Sequence, residues 1–88
     1  MRYSAMKTIV YTPQALKQFA DLPAEAQSQV DQALDLYALE GRGDVKALAG
    51  RAGFRLRTGR YRVIFDEDQQ TILAIYIGKR DTSTYARH

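Results

Sequence analysis

Four arginines lie close together in the second half of the chain, each beside an apolar residue. They are Arg55, Arg57, Arg60 and Arg62, and their apolar neighbours are Phe54, Leu56, Tyr61 and Val63. A strand sends alternate side chains to opposite faces, so Arg55 and Arg57 share one face and the apolar residues beside them share the other. Guanidinium groups match phosphate oxygens bidentately. The spacing therefore predicts a sheet that packs into a core on one side and binds phosphate groups on the other.

The positive charge of the chain is concentrated in the same half. Residues 1–50 hold five Lys/Arg against six Asp/Glu, whereas residues 51–88 hold eight against four. A basic sheet beside a nearly neutral helical half is typical of proteins that bind nucleic acid or an acidic protein. Surface arginines that only increase solubility would produce the same balance, so charge alone leaves these readings open.

Length and composition predict one small domain spanning residues 1–88. The chain has no cysteine, so we expect neither a disulfide framework nor a thiolate metal site, and a reducing cytoplasm is the expected location. No segment approaches the ~18 apolar residues of a membrane-spanning helix, and no obvious export signal precedes the first strand. We expect no metal and no small-molecule cofactor.

The first half of the chain predicts a strand followed by a short helix. Residues 7–12 are rich in β-branched side chains, which favour a strand. Thr12 and Pro13 then supply an N-cap and a first helical residue. The apolar stripe of this helix is predicted to consist of Leu16, Phe19 and Ala20.

A second helix is predicted to begin near Pro23 and to end at Gly41-Arg42-Gly43. Its apolar residues recur at spacings of three and four, and they are Val30, Leu34, Tyr37 and Ala38. Neither helix can bury its apolar stripe alone. The two helices are therefore expected to form a hairpin that lies on the sheet.

The second half of the chain predicts three consecutive strands. Residues 44–52 are interpreted as a connecting segment with one helical turn, anchored by Leu48. Strands follow at 54–58, at 61–66 and at 71–78, and the last is apolar enough to be covered on both faces. The predicted fold is a small α+β domain of order β-α-α-β-β-β: an N-terminal strand, an α-hairpin and an antiparallel three-stranded meander.

This order of elements and its motifs resemble the RelE/ParE superfamily of toxins from bacterial type II toxin–antitoxin operons. The resemblance covers nearly the whole chain and is carried by RLRTGRYRVIF and IGKRDTSTY, with Gly78-Lys79-Arg80 and Tyr85 among its most specific parts. RelE-like members are ribosome-dependent endoribonucleases that cut mRNA in the A site. ParE-like members inhibit DNA gyrase and cut nothing. In either case the resemblance implies a cognate antitoxin as partner.

The resemblance to RelE-like nucleases also implies a catalytic set, which comprises Arg55, Arg57, Arg62, Arg80 and Tyr85. Metal-free attack by a ribose 2′-OH requires a base, positive charge on the phosphorane and an acid for the leaving 5′-oxygen. Tyr85 is the candidate base, because clustered guanidinium groups favour its phenolate form, and His88 is the alternative. Arg80 is the candidate acid or leaving-group stabiliser, and the other arginines are transition-state clamps.

Further cations are expected to contact RNA, and they are Arg51, Arg60, Lys79 and Arg87. Several residues have a structural alternative. Arg62 could form an ion pair with Asp66 or Asp81. Tyr61 and Tyr76 are expected to pack within the sheet rather than to take part in chemistry.

Two functions from different classes remain. The complete set of basic residues favours a ribosome-dependent mRNA endonuclease, whose partners are the ribosome, mRNA and the antitoxin. The alternative is a ParE-like gyrase inhibitor, in which the basic sheet binds without cleaving and the helical hairpin carries much of the target recognition. A third, weaker alternative is an inactive protein that binds only its antitoxin.

Overall fold

The computed structural model describes residues 6–79 of the chain. Within this range the elements are β1 (Thr8–Tyr11), α1 (Pro13–Ala20), α2 (Ala24–Glu40), β2 (Asp44–Ala47), β3 (Phe54–Thr58), β4 (Tyr61–Glu67) and β5 (Thr71–Lys79). The strands form one sheet in the order β1-β5-β4-β3-β2, in which β1 is parallel to β5 and the other pairs are antiparallel. The predicted α+β class is confirmed, and the predicted helices and strands follow one another in the predicted order, with one additional strand.

Strand β2 is the one described strand that the sequence pattern did not predict. Residues 44–52 were expected to be a connection with a helical turn, but Asp44–Ala47 pairs along its whole length with β3. This prediction was wrong because β2 is short and mostly exposed, so its own sequence carries little strand signal and its pairing with β3 determines its conformation. The antiparallel meander therefore has four strands, and β2 is at its edge.

Helix α1 begins as predicted but buries a different residue. The Thr12 hydroxyl oxygen accepts a hydrogen bond from the Ala15 backbone N–H at 3.1 Å, and Pro13 occupies the first turn. Ala15 is fully buried, whereas Leu16 is 56% exposed and Ala20 is also exposed, so the predicted stripe was wrong at both of these residues. A short helix that lies close to β5 makes its contact through a small side chain. Phe19 packs against the core and lies 5.6 Å from the Tyr11 ring, centroid to centroid.

Helix α2 follows the predicted pattern. Val30, Leu34 and Ala38 are buried, and Tyr37 packs against the core. The helix ends at Gly41, whose φ of 71° is in the left-handed region and whose N–H bonds to the Tyr37 carbonyl at 2.8 Å. Within residues 6–79, neither helix is long and apolar enough to cross a membrane.

The core lies between the helices and one face of the sheet. The strands contribute the fully or almost fully buried residues Leu56, Val63, Phe65, Ile72, Ala74 and Ile77. The Phe65 ring stacks on Phe54 and meets Tyr37 edge-on, with centroid distances of 5.6 and 5.5 Å. The side of the sheet opposite these buried residues is called the open face below. On it β5 exposes Tyr76, so the prediction that this strand is covered on both faces was wrong.

A nearly buried carboxylate joins three elements on the core side. Glu67 accepts a hydrogen bond from the Lys7 ammonium at 2.7 Å and another from the Tyr37 hydroxyl at 2.7 Å. Burial, followed by the bond to Glu67, raises the pKa of Tyr37 to about 12. The phenol is therefore neutral at physiological pH and donates a hydrogen bond to the carboxylate. This contact holds the end of β4 against α2 and the start of β1.

Truncation of Phe65 to alanine should remove the largest fully buried side chain of the core. We expect Phe65→Ala to lower the free energy of unfolding by about 3–5 kcal/mol, because transfer and cavity costs add. The matched control is Leu16→Ala on the exposed side of α1, which should change it by no more than about 0.5 kcal/mol. Urea titrations followed by circular dichroism measure both values. Equal losses for the two variants would contradict this description of the core.

Candidate nucleic-acid interface

The strand register brings the predicted arginines together on the open face. Cross-strand partners lie on the same side of a sheet with Cβ atoms about 4.5–5.5 Å apart. Two rows of such partners cross β2, β3, β4 and β5. The first row comprises Asp44, Arg57, Arg62 and Gly78, and the second comprises Lys46, Arg55, Ile64 and Tyr76. Three residues of the predicted catalytic set therefore occupy neighbouring positions on one surface.

Asp44 compensates part of the positive charge of these rows. Its carboxylate accepts a hydrogen bond from Arg57 Nε at 3.0 Å and lies 3.7 Å from the nearest guanidinium nitrogen of Arg55. The bond from Arg57, assisted by the charges of both arginines, lowers the pKa of Asp44 below its usual 3.8. Like charges directly opposite each other destabilise a sheet, and Arg57 lies opposite Arg62. Asp44 thus offsets a repulsion that the register itself creates.

Arg55 is more enclosed than Arg57. Its side chain is 17% exposed, compared with 35% for Arg57. One terminal nitrogen of Arg55 is buried and has no hydrogen-bond partner among the described residues. An unsatisfied buried donor costs about 1–3 kcal/mol, and such groups require a functional or structural explanation. The same nitrogen lies 3.7 Å from a carboxylate oxygen of Asp44, so an ion pair too long for a hydrogen bond compensates its charge.

Arg62 is not neutralised by a neighbouring acid in the part of the chain that the structure describes. No carboxylate of residues 6–79 lies within ion-pair distance of it, so the alternative pairing with Asp66 is not formed. The other alternative partner, Asp81, lies outside the described residues. The two rows together carry four cationic side chains against the single carboxylate of Asp44. This surface can therefore attract a polyanion.

Tyr76 belongs to the same surface, although the sequence reading assigned it to packing. It is 38% exposed, and it lies in the second row beside Ile64. A Cβ at Gly78 would lie only 2.7 Å from Tyr76 Cζ, so the ring lies over the position that glycine leaves open. Alternation along β5 explains this placement. Ile77 is buried, so its neighbour Tyr76 lies on the opposite face. Tyr61, in contrast, packs against the core as predicted.

Side chains of α1 hold the end of β5 that carries Tyr76 and Gly78. The Gln18 side-chain oxygen accepts a hydrogen bond from the Ile77 backbone N–H at 2.8 Å. The Thr12 hydroxyl donates to the Ile75 carbonyl at 3.3 Å. Strand β1 ends at Tyr11, so these bonds satisfy β5 backbone groups where the neighbouring strand has stopped. Helix α1 therefore helps to position the open face from the opposite side of the sheet.

The remaining predicted RNA-binding residues do not join the two rows. Arg51 is exposed in the connection between β2 and β3, and Arg60 is exposed in the turn between β3 and β4. Arg60 lines a groove of about 430 Å³ together with Glu25 and Gln29 of α2. Lys79 pairs with Tyr61, so alternation directs it to the helical side of the sheet.

The predicted residues near the C-terminus lie outside the described residues. These are the catalytic candidates Arg80 and Tyr85, the RNA-binding candidate Arg87 and the alternative base His88. Their roles remain predictions. Strand β5 ends at Lys79, immediately before Arg80, so the described sheet leads directly to this segment.

Comparisons with known proteins identify the fold. No protein-family model matches the sequence, and no curated protein matches it significantly. Among solved structures, it is similar to a chain of the RelBE2 toxin–antitoxin complex of Mycobacterium tuberculosis, with a TM-score of 0.75 and 23% identity over 86% of this chain and 100% of that one. It is also similar to a chain of the archaeal RelE–RelB complex of Pyrococcus horikoshii, with a TM-score of 0.74 and 22% identity over 89% and 99% of the two chains.

A third similar structure is the YoeB dimer of Staphylococcus aureus, with a TM-score of 0.69 and 20% identity over 88% of this chain and 100% of that one. At sequence identities this low, the similarity shows a shared fold but does not show which residues form a site. The chain therefore has a RelE-like fold, as the motifs on β3, β4 and β5 predicted.

The Asp44–Arg57 ion pair should give folding a measurable dependence on pH. The folded state lowers the pKa of Asp44, so the pair contributes stability above the unfolded-state pKa, and this contribution is lost as the pH falls through the lower folded-state pKa. We expect wild type to exceed Asp44→Asn in free energy of unfolding by a constant margin above about pH 5, and this margin should shrink below the ordinary value of 3.8. Urea titrations from pH 3 to 7 measure the margin.

The control for this prediction is the same substitution in an Arg57→Gln background. Without the guanidinium group that donates to Asp44, the margin should be smaller and should depend less on pH. A margin that is the same at every pH in both backgrounds would contradict the assigned ion pair.

Proposed function

We propose that the protein is the toxin of a type II toxin–antitoxin system and that it cleaves mRNA in the A site of the ribosome. The observation that carries the proposal is the register of β3 and β4, in which Arg57 lies opposite Arg62 and Arg55 follows in the adjacent row. The fold, which is similar to that of RelE and YoeB structures, supports it. We further propose that the protein acts in the cytoplasm, where translated mRNA is found.

The proposed reaction uses the mRNA's own 2′-hydroxyl as nucleophile. A base removes the hydroxyl proton as the oxygen attacks the adjacent phosphorus, and an acid protonates the 5′-oxygen as its bond to phosphorus breaks. The products are a 2′,3′-cyclic phosphate and a 5′-hydroxyl end. Arg55, Arg57 and Arg62 would stabilise the additional negative charge of the phosphorane. Tyr85 and Arg80 are the proposed base and acid.

The proposed regulator is a cognate antitoxin that keeps the toxin inactive. Two of the structures similar to this chain come from toxin–antitoxin complexes. On α2, Leu36 and Leu39 are 42% and 47% exposed, which gives the helix an apolar surface suited to a protein partner. A groove of about 400 Å³ lies between α2 and the ends of β2 and β3, and both Asp44 and Arg57 line it. A segment of the partner bound in this groove would contact Arg57, which belongs to the first row.

Replacement of Arg62 by alanine should slow cleavage strongly while the protein stays folded. Arg62 has no acidic partner among residues 6–79, so its loss should cost little stability. Loss of one preorganised charge at a phosphorane lowers a rate constant by about 10²–10³-fold. Primer extension on a translated message in a cell-free reaction measures cleavage. The control variant is Lys17→Ala, which removes one positive charge from α1 on the helical side of the sheet. It should cleave mRNA as the wild type does.

Two parallel reactions separate the proposal from its alternative. Naked mRNA should stay intact, because the proposed activity requires the ribosome. A supercoiling reaction with DNA gyrase should proceed unhindered. An intact translated message together with inhibited gyrase would overturn the proposed nuclease and favour the ParE-like alternative.

A further inference from the structure

We propose that Tyr76 is a nucleobase-stacking residue, and this inference rests on the proposed binding of mRNA to the open face. The ligand would be one base of a single-stranded RNA segment whose phosphates lie along the arginines. Tyr76 then determines how the RNA is oriented on the sheet, in addition to the arginines that hold its phosphates.

The position of Tyr76 supports this role. The residue lies in the same cross-strand row as Arg55 and Ile64, and its ring reaches over Gly78, the row partner of Arg62. A phosphate held by Arg62 would therefore have an aromatic surface beside it. Aromatic side chains next to a basic strand surface bind single-stranded nucleic acid by stacking, and every base has a face that can stack.

Exposure distinguishes Tyr76 from a packing residue. The other described tyrosines of the strands, Tyr11 and Tyr61, are partly buried against the core, whereas Tyr76 is 38% exposed on the opposite side. The Tyr76 ring lies over Gly78, which has no side chain. A Cβ at position 78 would collide with the Tyr76 hydroxyl and ring. The absence of a side chain at Gly78 thus leaves room for the ring on the surface that the arginines share.

The charge around Tyr76 specifies the class of ligand. Lys46, Arg55, Arg57 and Arg62 occupy the two rows, and Asp44 is the single carboxylate among them. A purely apolar partner would bury these charges without compensation, at high cost. A strand of RNA supplies both phosphates for the guanidinium groups and bases for the ring. The combination therefore favours single-stranded RNA over a hydrophobic protein segment.

A tryptophan at position 76 makes the stacking directly visible. The chain has no tryptophan, so Tyr76→Trp introduces a single fluorophore at the proposed contact. Titration with a six-nucleotide oligouridylate at low salt should quench its fluorescence, because a stacked base quenches indole emission. An abasic oligoribonucleotide of the same length keeps the phosphates and lacks the bases, and it should cause little quenching.

The control fluorophore is Leu16→Trp, which sits at a 56% exposed position on α1, on the other side of the sheet. Its emission should not respond to either oligonucleotide. Equal quenching of Tyr76→Trp by the abasic strand and by oligouridylate would overturn the proposal, as would no quenching when anisotropy shows that the labelled RNA is bound. Absence of any RNA binding would overturn it as well.

Substitutions that keep or remove the ring test the same contact by affinity. Tyr76→Phe should bind labelled oligouridylate within about 2-fold of wild type, whereas Tyr76→Leu should lose about 5- to 150-fold, the range for one base–aromatic stack. In the cell-free reaction, Tyr76→Leu should raise KM for the translating ribosome complex more than it lowers kcat.

These measurements separate the inference from the proposed function. If Tyr76→Trp is quenched only by base-bearing RNA but the wild type cuts no translated mRNA, base stacking stands and the nuclease assignment fails. If the wild type cuts in the A site but Tyr76→Leu binds and cuts like Tyr76→Phe, the nuclease assignment stands and base stacking is overturned.

Discussion

The register between β3 and β4 is the constraint on which the rest of this structure depends. The same pairing sets Leu56 against Val63 in the core and Arg57 against Arg62 on the open face. A shift by one residue would exchange the two faces and expose the apolar side chains. Burial of Leu56, Val63 and Phe65 therefore fixes the positions of the arginines. Core stability and the chemistry of the surface are consequences of one pairing.

The guanidinium groups on the open face repel one another, and β2 helps to offset this repulsion. Asp44 lies at the start of this edge strand and contacts both Arg55 and Arg57. An exposed ion pair contributes little stability by itself. Its effect here is to hold two arginine side chains in place on a face where they would otherwise repel each other and Arg62. The edge strand thus organises the candidate site without being part of the core.

Much of the fold could be predicted from the chain because its signals are local. The alternation of arginine and apolar residues on β3 and β4, the Thr12 cap and the Gly41 stop all depend on neighbouring residues, and all are confirmed. Strand β2 could not be predicted, since its pairing comes from a partner strand. The burial of Ala15 in place of Leu16 depends on how closely α1 approaches β5, which helical periodicity does not reveal.

The candidate site could be predicted to a similar extent. Arg55 and Arg57 were expected to share a face, and Arg62 joins them because antiparallel partners lie on the same side. Alternation gives no guide in turns, which is why the position of Arg60 could not be predicted, whereas alternation along β5 places Lys79 on the helical side of the sheet. Tyr76 was expected to pack within the sheet, and its ring does lie over Gly78, but on the exposed face, because an apolar strand gives no indication of which face is covered. The residues expected to act as acid and base, Arg80 and Tyr85, lie beyond the described range.

The most direct test of the central claim is to determine which surface of the protein contacts mRNA. A message with 4-thiouridine in the A-site codon can be crosslinked to the protein on a stalled ribosome, and the crosslinked peptides can be identified by mass spectrometry. We predict crosslinks to peptides from β3, β4 and β5 and none to α1 or α2. Crosslinks confined to the helices would contradict this prediction, because Arg55, Arg57 and Arg62 on the open face would then face away from the RNA.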